Sequence, residues 1–235
     1  MVEPLVFLPG MMCDARLFGP QIAEFSSEMA VTIAPVCQGE RIEEVASGLL
    51  GLLPNRFALV GHAMGGVVAM EILRRAPDRV SRIALMDTNP LAETPVVAAN
   101  REPQIVKVRS GRLLEVMQDE LQPSYFAPGP YRADILELAM DMAATLGPEV
   151  FIRQSRAMQK RRDKQAVLRR CRAPALALCG AHDQLCPVQR HVSMAELIPY
   201  AELVVLEDAG HFPTLEQPAE TTAALRTWLQ QPLVL

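Results

Sequence analysis

The sequence predicts an α/β protein: a compact, mostly parallel sheet of six strands, doubly wound, with helices on both faces. Three observations carry this. Six short runs are apolar without polar alternation, which suits strands covered on both sides. Most gaps between them have room for one helix of about 10 to 16 residues. One gap, from about residue 91 to residue 174, is long and holds no clear strand.

The runs follow in order. Leu5 to Leu8 (LVFL) is stopped by Pro9-Gly10. Val31 to Val36, Phe57 to Gly61 and Arg82 to Met86 come next, then Ala175 to Cys179 and Glu202 to Leu206. Met64 to Arg75, Pro187 to Ile198 and Pro218 to Gln230 read as helices, with Pro187 suited to a first helical position. The long gap is rich in Met, Leu, Arg and Glu and is punctuated by Pro103, Pro123, Pro128, Pro130 and Pro148. It reads as three or four helices forming a cap. The expected division is a core of residues 1–90 and 175–235, with a helical cap over residues 91–174.

Composition bounds the function. The chain has 235 residues, half of them hydrophobic and 21% charged, enough for one domain with an insertion. A net charge of −4 without a basic stripe argues against nucleic acid. No apolar run approaches the roughly 18 residues of a membrane span. The start, MVEPLVFLPG, is too short for a signal peptide and lacks a basic region. Five scattered cysteines (Cys13, Cys37, Cys171, Cys179, Cys186) form neither a disulfide framework nor a zinc pattern, so a reducing cytoplasm is the simplest setting. The expected partner is a small-molecule substrate or product, on a monomer or homodimer.

The chemistry lies in LVGHAMGGVV, residues 59–68. A G-x-[ ]-x-G frame between strand and helix builds a strained turn that lifts its central residue above the sheet. The following helix points its first N–H groups at the same spot, which suits a developing oxyanion. The central position is Ala63, which offers no reactive atom. GHAMGG resembles the GHSMGG nucleophile elbow of α/β-hydrolases, with alanine in place of serine.

The rest of that family's constellation follows in its order of nucleophile, acid, histidine. CGAHDQLCP resembles the family's acid turn and singles out Asp183. LEDAGHFPTLEQP resembles its histidine loop, G-H-x-x-x-x-E-x-P, and singles out His211. FLPGMMCDARLF resembles the loop after the first central strand, with Pro9 where the family usually has His. The resemblance implies oxyanion donors at the amides of Met11 and Met64. It places Gly10, Met12 and His62 beside the substrate. The likeness runs from Leu5 to Trp228.

What it implies is hydrolysis of a small to medium ester, thioester or lactone through an acyl-enzyme, with no metal and no organic cofactor. Amide or C–C bond hydrolysis stays open on the same fold. Ala63 is read as a serine replaced in an otherwise unspoiled site. The competing explanation is a non-catalytic relative acting as a ligand-binding receptor.

Other residues have blander expectations. Asp87, after the fourth strand, is the rival acid or a turn cap. Asp208 is expected in a turn, and His182 and His191 on the surface. Met11, Met12, Met64 and Met86 fall near strand ends at the expected mouth. The run Arg153 to Arg162 reads as a solvated helix face. Arg109, Arg153 and Arg156 are candidates for binding an anion from the cap.

Overall fold

The computed structural model describes residues 3–233. Its sheet has six parallel strands in the order β2-β1-β3-β4-β5-β6. They are β1 (Leu5–Leu8), β2 (Val31–Ile33), β3 (Phe57–His62), β4 (Val80–Met86), β5 (Ala175–Gly180) and β6 (Ala201–Leu206). The central strands are in tight register, Phe7 beside Val60 and Val60 beside Ala84.

The lack of polar alternation has the expected cause. Successive side chains of a strand point to opposite faces, and in β1, β3, β4 and β5 both faces are dry, while the edge strands β2 and β6 are only partly buried. Val6, Leu8 and Leu59 enter one core with α2 (Ile42–Leu50), α3 (Met64–Arg75), α8 (Gln165–Arg169) and α9 (Val188–Leu197). Leu5, Phe7, Ala58 and Val60 enter the other, with α1 (Gly19–Phe25) and α11 (Pro218–Gln230). Trp228 on α11 is fully buried there and donates its indole N–H to the Pro174 carbonyl at 3.3 Å.

Between β4 and β5 the chain forms α4 (Pro95–Arg109), α5 (Leu113–Glu120), α6 (Arg132–Leu146), α7 (Pro148–Gln159) and α8, with a short 3₁₀ turn at Pro123–Tyr125. That is five α-helices, more than the three or four expected. One further short helix, α10 (Pro213–Glu216), follows β6. Among the described residues no helix is long and apolar enough to cross a membrane.

Several boundaries differ from expectation for local reasons. β2 ends at Ile33, not Val36: Ala34 makes the last bond to β1, and Pro35 has no N–H to continue. β4 begins two residues early, at Val80, because its start pairs with Phe57. Pro187 is the cap of α9, not its first residue. Pro103 lies inside α4 instead of ending it. Its ring faces solvent, and the packing of buried Ile105 and Val108 holds the helix through it.

The return from the insertion is anchored electrostatically. Lys164 is nearly buried and ion-pairs with fully buried Glu71 on α3 at 2.5 Å, where Arg74 and Arg75 also converge. Burial alone would raise the Glu71 carboxyl, but these cations hold it down, at about 2.

Candidate active site

The C-terminal ends of β1, β3 and β4 share one feature. Among the described residues, Met12, Ala63 and Asp87 are the non-glycine residues with positive φ, at 55°, 48° and 45°. Such backbone costs about 1–3 kcal/mol each and collects at functional sites. Met12 and Ala63 line one cavity of about 290 Å³, and Asp87 immediately precedes Thr88, which also lines it.

Ala63 forms the cavity's floor at the junction of β3 and α3, with φ 48° and ψ −114°. Its N–H donates to the Met86 carbonyl at 2.9 Å. Its own carbonyl accepts from the Gly66 and Val67 amides and from the Thr88 hydroxyl at 2.7 Å. The glycines are sterically required. A Cβ on Gly65 would lie 2.1 Å from the Leu8 carbonyl oxygen, and one on Gly61 would lie 2.5 Å from that of Gly65. The turn therefore keeps a costly shape although its tip has no reactive group.

Asp183 and His211 meet above this floor, 28 residues apart in sequence. His211 Nδ1 lies 2.9 Å from Asp183 Oδ2. Asp183 Oδ1 accepts the Leu185 and Cys186 amides at 2.8 and 3.0 Å. Burial pushes the Asp183 carboxyl up, but the adjoining imidazole and these donors outweigh it and hold the group well below the usual range. It is an anion, and both of its oxygens accept hydrogen bonds. Cys186 lies close enough to make a three-donor cluster with Asp183 and His211. Burial and the two aspartates hold its thiol well above the usual range.

Asp87 is the opposite case. It is fully buried, its Oδ1 accepts the Gly180 amide at 3.1 Å, and its Oδ2 meets no donor. Burial and the Asp183 charge raise it far above the usual range, so it keeps a proton and offers it to Asp183. Asp87 does not contact His211 in the way Asp183 does.

The histidine loop is held from three sides. His211 N–H donates to the Tyr125 carbonyl at 2.7 Å. Glu216 accepts the amides of Ala127, Gly210 and Phe212 at 2.7, 2.9 and 2.8 Å. His62 is fully buried, and its Nε2–H donates to the His211 carbonyl at 2.6 Å. Burial and the neighbouring His211 push His62 down to about 3, so it is neutral and cannot serve as a charged group.

Met11 and Met64 both line the cavity, and among the described residues neither amide has a backbone acceptor. Met64 opens α3 and has none by position. The Met12 amide is different: it donates to buried Gln154 at 2.8 Å, which in turn donates to the Val36 carbonyl at 3.1 Å. Gly10, Met12 and His62 all line the cavity.

Some expectations are corrected. His191 is buried, not superficial, because α9 turns it inward to accept the Thr88 amide at 3.1 Å. His182 and Asp208 are exposed. The run from Arg153 is not a wholly solvated face: Gln154, Ser155, Ala157 and Met158 are buried where α7 packs on α4 and the core. Arg153 donates to the Cys37 carbonyl, Arg156 pairs with Glu102, and Arg109 is exposed, so none of the three lines the cavity. Sequence reasoning missed Gln154, Arg161 and the clamp by Glu216. Only Glu216 had a signal, as the glutamate of the histidine-loop pattern.

The chain is similar to known proteins along most of its length. The chain is 26% identical to a protein of Pantoea ananatis named as a carbamate hydrolase, RutD, over 97% of this chain and 89% of that one. It is 22% identical to a pimeloyl-acyl-carrier-protein methyl ester esterase of Vibrio atlanticus, over 83% of this chain and 79% of that one. A solved esterase of Thermogutta terrifontis, with malate bound, superposes with a TM-score of 0.87 at 27% identity, covering 97% of this chain and 89% of that chain. Residues 5–225 match the model of the alpha/beta hydrolase family, and the chain belongs to that family.

Proposed function

We propose that this site is that of a carboxylic ester hydrolase whose nucleophilic serine stands replaced by Ala63. The observation that carries it is the Asp183–His211 pair at 2.9 Å beside a strained elbow tip that no longer needs its strain. A serine at residue 63 would attack a carbonyl carbon. His211 would take the hydroxyl proton and return it to the leaving alkoxide, and Asp183 would hold the imidazole's tautomer and offset its charge. The Met11 and Met64 amides would bind the oxyanion, worth about 3 kcal/mol per donor. Water, activated by His211, would then release the acid. Each step is proton transfer or acyl transfer, and none calls on a metal or organic cofactor.

Several features favour an acyl substrate of small to medium size. The cavity of about 290 Å³ sits at the low end of ligand pockets. The relatives given above bear the names of a carbamate hydrolase and of esterases. The insertion lends Val97, Met117, Leu121, Phe151 and Met158 to the cavity wall, and we assign it the role of a substrate-selecting cap. This Ala63 chain would bind its ester and fail to turn it over.

The test is Ala63→Ser. Loss of such a serine costs about a million-fold in turnover. The Ala63 chain should therefore be nearly inert toward p-nitrophenyl acetate and butyrate, and Ala63→Ser should gain activity and sensitivity to serine-directed phosphonates. A revertant inert to short esters, thioesters and lactones removes this reading and leaves the receptor.

A further inference from the structure

The floor of the cavity explains acyl transfer, but one charged group in its wall has no part in it. Arg161 follows α7 in the turn leading to α8 and lines the same cavity as Ala63 and His211. Most of its surface is buried. Among the described residues its Nε meets no acceptor, and its side chain's one hydrogen-bond partner is the Met158 sulfur, 3.9 Å from Nη1.

A buried arginine kept for structure looks different. Arg79 in this chain donates to four backbone carbonyls, those of Asn55, Leu50, Leu53 and Pro54, at 2.7–3.3 Å. Arg161 has no carbonyl and, among the described residues, no ion pair. The nearest charges do not serve it. Glu93 gives both its oxygens to Arg101 Nε at 2.8 and 3.0 Å, in a nearly buried pair. Glu120, also in the wall, accepts from the Gln104 amide. Arg101 and Glu93 offset each other, and Glu120, the other carboxylate in the wall, bonds neutral Gln104, so Arg161 is left without a paired counter-charge. Burial lowers the Arg161 pKa, yet guanidinium stays charged at any working pH. A charged, largely desolvated fork without a partner is fitted to a planar anion with two acceptor oxygens.

We propose that Arg161 is the subsite for a carboxylate on the substrate, distant from the ester carbonyl. The substrate class is then a half-ester, or a lactone bearing a free carboxylate. The proposal rests on reading the cavity as an ester site, but binding can test it without turnover. The acid set free at Ala63 would form at the floor, so it is not the anion meant here.

The test is calorimetric titration of the Ala63 protein with monomethyl adipate and with methyl hexanoate, a neutral ester of the same chain length but lacking the carboxylate. The half-ester should bind about tenfold more tightly or better. Arg161→Gln should abolish that preference, and Arg161→Lys should keep part of it. Circular dichroism would confirm that both variants are folded. Equal binding of the two esters, a preference that survives Arg161→Gln, or no heat from monomethyl adipate at millimolar concentration would each overturn the subsite. The Ala63→Ser assay on p-nitrophenyl acetate separates the two readings. An inert revertant with Arg161-dependent binding removes the reaction and keeps the subsite, and an active revertant without that dependence does the reverse.

Discussion

Asp87 and Asp183 are adjacent carboxyl groups at the ends of β4 and β5, and their surroundings divide the labour. Asp183 is given the imidazole and two amides and stays an anion. Asp87 is given one amide and a negative neighbour, and keeps its proton. In an Ala63→Ser background, Asp183→Asn should cut kcat by about 10⁴, since His211 loses its orienting anion. Asp87→Asn should change kcat far less, because asparagine is also neutral and supplies an N–H in place of the shared proton. Asp87→Ala removes that donor and should fall between. Steady-state kinetics on p-nitrophenyl butyrate would decide, and an Asp87→Asn loss equal to that of Asp183→Asn would move the acid to β4. At this scale the sequence was legible where a residue type is dictated by its own turn. The choice of Asp183 over Asp87 was legible through the acid-turn pattern, but the retained proton of Asp87 was not, because it depends on burial and a charged neighbour that only the folded chain supplies.

Among the elements, the histidine loop shows how a site residue is positioned from a distance. Glu216, on α10, joins three amides from two segments: Gly210 and Phe212 of the loop, and Ala127 beyond the 3₁₀ turn of the insertion. Gly210 lies against Tyr125, where a Cβ would stand 2.3 Å from the carbonyl oxygen. Glu216→Ala would strand those amides in a dry contact at about 1–3 kcal/mol for each that finds no water. We expect a total near 3 kcal/mol, seen as a fall in Tm of about 6–12 °C for a domain of this size. In the serine revertant kcat should fall as well, because His211 loses its fixed height over the elbow. An unchanged Tm would show that the clamp is replaceable by solvent. The pattern G-H-x-x-x-x-E-x-P displayed this glutamate, but not the segment 89 residues away that it holds.

The whole molecule carries buried titratable groups that make it sensitive to acid. Burial first, with neighbouring charges, puts His62 at about 3 and His191 at about 4, against an ordinary value of 6.5. Below pH 6.5 the unfolded chain binds protons at these histidines that the folded chain refuses, so stability falls as pH falls. Each contributes a loss of up to about 2 kcal/mol between pH 6.5 and pH 5. Glu71, depressed from 4.5 to about 2, adds a later loss as pH drops through that window. Trp228 is the sole tryptophan and is buried, so its fluorescence reports global unfolding. The urea midpoint should drop clearly between pH 7 and pH 5, and His191→Gln, which keeps an acceptor for Thr88, should lessen the drop. A midpoint that holds steady over that range would mean both histidines titrate normally.

The sequence by itself determined the strand order along the chain, the helix Met64–Arg75 to the residue, and the elbow around Ala63. These follow from short-range rules: apolar runs, the small residues that a tight strand-to-helix turn demands, and a proline at a helix start. The tertiary structure alone decided the contacts made across long separations. Gln154 reaches the Met12 amide across 142 residues, His191 turns inward to Thr88 across 103, and Arg161 is left beside Ala63 without an anion. No local pattern encodes these, because a buried polar group's partner is set by which distant surface packs against it, and that is fixed only when the sheet and its insertion close.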